Sequence, residues 1–197
     1  MEHYEKDESK NLFLSFAKPY YDFIGKGKIY SLVYVVMAGL NLLLPLGVIF
    51  FVIESGFLQN SGAGIIIAFI FAWLVLGFAS WMGFQLWWYR KSFIKKIGNA
   101  EIIATPVISD LIQTFGECCG TFSFIVGVGV GIIVTVFYLV SPDVFNSIGL
   151  TFNVGPLMIV GGPLAGFIFI IVFRFIAEQI KLFSSLVNNT REIAKKK

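Results

Sequence analysis

Lysine and arginine are missing from most of this chain. None of its 15 basic residues lies between Lys28 and Arg90, and none between Lys96 and Arg174. Charge of either sign is scarce, at 14% of 197 residues against roughly 25% in a soluble domain. A surface this poor in charge needs lipid as its solvent, which excludes an ordinary soluble fold. Histidine occurs once, at His3, ahead of every apolar segment. No group of His, Cys, Asp and Glu has metal-ligand spacing. There is no Gly-x-Ser-x-Gly elbow, phosphate loop or His-Glu-x-x-His motif. No catalytic, cofactor-binding or metal-binding residue is therefore assigned, and the chain is not expected to be an enzyme. The two cysteines, Cys118 and Cys119, are neighbours. Adjacent cysteines rarely bridge each other and the cytoplasm is reducing, so they are expected to be small buried apolar residues.

Each gap in basic charge contains long apolar runs. Uncharged stretches cover residues 29–53, 55–89, 118–142 and 144–173. A helix crossing about 30 Å of hydrocarbon needs about 20 residues, so each stretch holds one crossing and none comfortably holds two. Basic residues precede the first run (Lys6, Lys10, Lys18, Lys26, Lys28), separate the second from the third (Arg90, Lys91, Lys95, Lys96) and end or follow the fourth. The two remaining loops carry only the acids Glu54 and Asp143. Cations concentrate on the cytoplasmic side of membrane proteins, so both termini and the middle loop are expected there. The fold class expected is an all-α membrane protein with four transmembrane helices arranged as two in-to-in hairpins. The basic groups flank membrane segments and imply attraction to anionic headgroups rather than nucleic acid.

The division along the chain follows from these runs. Residues 1–28 form a cytoplasmic lead, with an aromatic amphipathic stretch at 11–25 suited to the headgroup interface. The polar start is unlike a cleaved signal peptide, so the first apolar run is expected to remain as an anchor. Residues 29–89 form the first hairpin, and Trp81, Trp87, Trp88 and Tyr89 followed by Arg90 and Lys91 mark the inner boundary. Residues 90–120 form a basic loop and a juxtamembrane helix opened by Thr105-Pro106. Residues 121–176 form the second hairpin, and 177–197 a helical tail whose stripe Ile176, Ile180, Phe183 and Val187 has helical spacing. The outer loop over 141–154 carries enough apolar residues to lie in the outer interface. The matched order of segments and the echo of Pro19-Tyr-Tyr-Asp-Phe-Ile24 in Pro106-Val-Ile-Ser-Asp-Leu-Ile112 are compatible with a tandem repeat and do not require one.

Few side chains stand out inside the apolar runs. Asn41 sits at the middle of the first and needs a polar partner, with Thr135 and Ser80 as candidates. Gly127 and Gly131, and Gly162 and Gly166, form Gly-x-x-x-Gly pairs that permit close helix contact. Arg174 and Glu178 are four apart and can pair at the membrane boundary, with Lys181 one turn further on.

The sequence Arg174-Phe-Ile-Ala-Glu178, continued by Asn189-Thr-Arg191-Glu192-Ile193, resembles the close of an uncharacterised bacterial integral-membrane domain of two helices. The likeness covers residues 105–193, and the first half lacks the motif because no acid follows Arg90 at the matching distance. It implies a bacterial membrane protein and carries no known activity or site residues; the inner membrane is the location expected. The function expected is that of a non-enzymatic subunit, partnered by the lipid bilayer and by copies of itself or other membrane subunits. The alternative is an oligomeric channel or permeabilising effector, with Asn41, Thr135 and glycine backbone along a passage. A small transporter ranks third, because no ionisable residue sits at midplane to couple ions.

Overall fold

The computed structural model describes residues 28–97, 104–147 and 149–195. The charged lead, the amphipathic stretch over 11–25 and most of the middle loop lie outside them. Among the described residues all regular structure is helical: α1 (Lys28–Glu54), α2 (Phe57–Asn60), α3 (Ala63–Ile97), α4 (Ala104–Val140), α5 (Pro142–Ser147) and α6 (Val154–Lys195). Four of these, α1, α3, α4 and α6, are long and apolar enough to cross a membrane, over Ser31–Glu54, Ala63–Ser92, Pro106–Val140 and Val154–Val187. The chain is a multi-pass membrane protein on that ground.

The long helices pack in chain order, α1 on α3, α3 on α4, and α4 on α6. Each pair is antiparallel. The Trp73 indole donates to the Pro45 carbonyl at 3.0 Å, while Tyr34 meets the Trp87 ring edge-on, so rising numbers on α1 match falling numbers on α3. On α4 and α6, Gly131 faces Gly155, Gly127 faces Gly162, and Ser109 reaches Ala177. Gly129 of α4 lies against Val75 of α3, with Phe71 and Phe137 in ring contact two turns away. Among the described residues α6 makes no extensive contact with α1 or α3. The arrangement is a row closed at one end by side chains of α1, α3 and α4, with Tyr34, Ala38, Trp87, Val107 and Cys118 as its core.

The helices are longer than the apolar runs. The reading of a loop from Arg90 fails because α3 continues to Ile97, and no break separates a juxtamembrane helix from a membrane helix near residue 120. The reason is packing. Residues 106–120 of α4 bury Val107, Ser109, Thr114, Gly116 and Gly120 against neighbouring helices, so the first turns gain the same tertiary support as the later ones. The tail expectation agrees, since α6 runs unbroken through Pro163 to Lys195. The connections from α1 to α3 and from α4 to α6 are short. Gly56 closes the first with a left-handed φ of 67°, and Gly149 serves the second with φ 79°. In the second connection α5 tucks Phe145 against Phe137, and the Tyr138 hydroxyl bonds Asn146 at 3.1 Å.

Candidate functional site

The strongest concentration of polar chemistry lies where α1, α3 and α4 converge. On α3, Trp87 and Arg90 are three residues apart and share an inward face. On α4, Asp110, Gln113, Thr114 and Glu117 recur at helical spacing and form one polar stripe. Arg90 bridges this stripe. Its Nη1 lies 2.7 Å from Asp110 Oδ1 and its Nη2 lies 2.6 Å from Glu117 Oε2. The planar fork suits this task, because it offers two donors to two carboxylates at once. From α1 the Tyr34 hydroxyl donates to Asp110 Oδ2 at 2.8 Å, and Gln113 Nε2 donates to Glu117 Oε1 at 2.8 Å. Side-chain exposure is 9% at Asp110, 22% at Arg90 and 26% at Glu117. The network is therefore most accessible at Glu117 and closed at Asp110.

Three helices are tied together by this group, and its depth aligns with a second ion pair. Gly116 packs against Phe173 and Ser109 Oγ donates to the Ala177 carbonyl at 2.7 Å. Arg174 and Glu178 thus lie at the level of Glu117 and Asp110. Arg174 Nε meets Glu178 Oε1 at 3.4 Å, and both side chains are exposed. Lys181 is outside salt-bridge distance of Glu178. From residue 154 to residue 173 is about 30 Å of helix, the thickness of a bilayer's hydrocarbon. The charged level thus lies one hydrocarbon thickness from the start of α6, where a boundary of the spanning region would fall.

Asn41 lies one step deeper, with partners other than those expected. Its Nδ2 donates to the Met37 carbonyl at 2.9 Å, its Oδ1 accepts from the Cys118 thiol at 3.6 Å, and it rests directly on Gly83. Thr135 belongs to a different interface. Its hydroxyl donates to the Gly131 carbonyl at 2.8 Å and packs on Gly155. Ser80 is buried, and among the described residues its Oγ has no hydrogen-bond partner. Asn41 and Thr135 therefore face separate helix contacts and do not share a passage within one chain.

The glycine pairs fall on one seam. A Cβ built on Gly127 would stand 2.5 Å from Gly162 Cα, and one on Gly162 would meet Gly127 Cα at the same distance. Gly131 abuts the Gly155 carbonyl and Ile159, and Gly166 abuts the Gly120 carbonyl. Four expected glycines and two further ones thus bring the α4 and α6 backbones into contact. Gly39, Gly47, Gly64 and Gly77 of the first two long helices have open space around them. The two halves are packed differently.

In the sequence Arg90 reads as a topology marker, and Asp110 carries no site assignment. The available signal was the polar stripe Asp110, Gln113 and Glu117 on an otherwise apolar helix. Among the described residues no three His, Cys, Asp or Glu side chains converge to hold a metal ion. No protein-family model matches the chain, and neither a curated protein nor a solved structure matches it.

Proposed function

We propose that the protein is an integral membrane subunit that acts by assembling with copies of itself or with other membrane proteins. One observation carries this reading. Beyond the contact of Ala177 with Ser109, α6 outruns the start of α4, and residues 183–195 extend it by about 20 Å. Along this extension and just before it, Leu182, Phe183, Leu186, Val187 and Ile193 are exposed. An apolar helix face past the bilayer boundary gains nothing from lipid and favours a protein partner. The chemistry elsewhere agrees, since Asn41 and the Arg90 network are engaged in joining helices.

In this reading the two antiparallel pairs are in-to-in hairpins, derived from one duplicated unit, in a bacterial inner membrane. Both termini and the charged level face the cytoplasm, as the distribution of Lys and Arg supports. Conduction through an oligomer is the weaker alternative, because Asn41 and Thr135 are each used within the chain.

The test replaces Leu182, Leu186 and Ile193 by Ser, outside the spanning contacts, and measures the native mass of the full chain extracted from its own membrane. Loss of the assembled species with an unchanged helical spectrum is expected. An assembly that survives the triple substitution would sink the proposal. Reporters fused at residues 58 and 147 should read outside the cell and one at 93 inside.

A further inference from the structure

The outward face of α3 carries a feature unrelated to helix joining. Trp81, Phe84 and Trp88 stack in sequence along the helix, with centroids 5.5 and 5.6 Å apart and ring planes inclined by 29° and 26°. The 3–4 spacing makes a continuous flat strip. Trp81 is 49% exposed and Trp88 is 51% exposed, while Phe84 packs partly against the buried core and fixes the strip in place. Lys91 extends the same 3–4–3 spacing, and its Nζ lies 4.6 Å from the Trp88 ring centroid.

Two properties of this strip point to an occupant. First, its length matches one leaflet: residues 81 to 91 cover about 15 Å of helix, half of about 30 Å of hydrocarbon. It ends at the charged boundary, where headgroups lie. Second, its cation is spare. Arg90, the neighbouring residue, turns inward and is neutralised by Asp110 and Glu117. Among the described residues Lys91 has its aromatic contact and no ion pair. A charge held at the membrane surface beside an aromatic surface, with no carboxylate of its own, is complementary to a lipid phosphate.

We infer that Trp81, Phe84, Trp88 and Lys91 form a binding site for one anionic glycerophospholipid. One acyl chain lies along the aromatic strip, and the headgroup phosphate pairs with Lys91. The stack gives the chain a smooth apolar surface, and the ammonium selects negative headgroups over zwitterionic ones.

The experiment uses the full chain in phosphatidylcholine bilayers and reads quenching of tryptophan fluorescence by brominated lipids. Trp81 and Trp88 are the exposed reporters, since Trp87 is buried and Trp73 is half-buried against Pro45. Brominated phosphatidylglycerol is expected to associate about threefold more strongly than brominated phosphatidylcholine. Lys91→Ala should bring that ratio close to one. Lys181→Ala, an exposed lysine one turn beyond the charged boundary with no aromatic strip, should leave it unchanged. As a second readout, Trp88→Leu should lower the phosphatidylglycerol retained by the purified protein in native mass spectrometry. A ratio of one in the unmodified protein means ordinary annular lipid and overturns the inference. Equal loss in both lysine variants means diffuse surface charge and overturns it too. Protection of the strip from both lipids would show that another protein covers it, and the lipid site would then be abandoned.

Discussion

Gly127 and Gly162 approach so closely that neither can carry a side chain: a Cβ on either would sit 2.5 Å from the other's Cα. The obstruction is backbone on both sides, so no rotamer change can relieve it. In a bilayer, helices gain little from hydrophobic burial against each other, and close van der Waals packing supplies much of the attraction.

Gly127→Ala is therefore expected to part α4 from α6 and destabilise the fold by about 2 kcal/mol, in the range for overpacking a tight core. Gly39→Ala and Gly77→Ala enter open space within helices. They should be neutral or stabilise by up to about 1 kcal/mol, because Ala loses less backbone entropy than Gly. Unfolding by sodium dodecyl sulfate, followed by far-ultraviolet circular dichroism, separates the two classes. Equal behaviour of Gly127→Ala and Gly39→Ala would contradict the seam.

The Arg90 network makes a prediction about order of severity. Asp110→Asn removes one carboxylate but leaves Glu117 to neutralise Arg90. Loss of one partner from a buried ion pair costs about 3–5 kcal/mol, and this variant should fall at or below the lower end because Arg90 and Glu117 are only partly buried. Arg90→Gln should be worse, since it leaves Asp110 and Glu117 facing each other without a cation. Replacing all three by apolar residues (Arg90→Met, Asp110→Leu, Glu117→Met) should restore much of the stability, because no charge is then left unpaired. The same unfolding assay ranks them, and a triple variant weaker than Arg90→Gln would show that the network is not a closed unit.

The glycine seam and the Arg90 network also differ in how far the sequence made them legible. The four long helices follow from uncharged runs long enough to span, and the seam from Gly-x-x-x-Gly spacing, both local patterns. The seam's partners were less accessible: Gly120 and Gly155 joined it only through the register of α4 on α6. The Arg90 network spans 20 and 27 residues of sequence to Asp110 and Glu117, and 76 from Tyr34 to Asp110. No periodicity in one helix reveals such pairing. Helix ends are obscured in the sequence for a related reason. Apolar composition stops near Tyr89 and begins near Thr121, whereas helical structure continues wherever a neighbouring helix supports it.

Asn41 tests whether a mid-membrane amide is there for joining helices. Its side chain meets the Met37 carbonyl, the Cys118 thiol and Gly83 at once. Asn41→Ala should cost about 1 kcal/mol, the usual scale of an interhelical hydrogen bond in a membrane protein. Asn41→Leu keeps a branched side chain against Gly83 but loses both hydrogen bonds, so it should cost a similar amount. Cys118 should also react faster with a membrane-permeant maleimide in Asn41→Ala. Unchanged labelling and unchanged stability would mean that the amide has another purpose.

Ser80 supplies the opposite expectation. Its hydroxyl is buried on α3 with no hydrogen-bond partner among the described residues, so it bears a desolvation cost with nothing in return. Removing an unsatisfied buried polar atom relieves roughly 1 kcal/mol or more, whereas removing a bonded one costs a similar amount. Ser80→Ala leaves the Cβ in place and opens a void of a single atom. The variant is expected to be more stable than the unmodified chain by about 1 kcal/mol under the same detergent titration, with Ser109→Ala as the contrast. Ser109 gives its hydroxyl to the Ala177 carbonyl across the α4–α6 contact, so that substitution should destabilise. A loss of stability in Ser80→Ala equal to that in Ser109→Ala would mean that the Ser80 hydroxyl is bonded in the membrane-embedded protein.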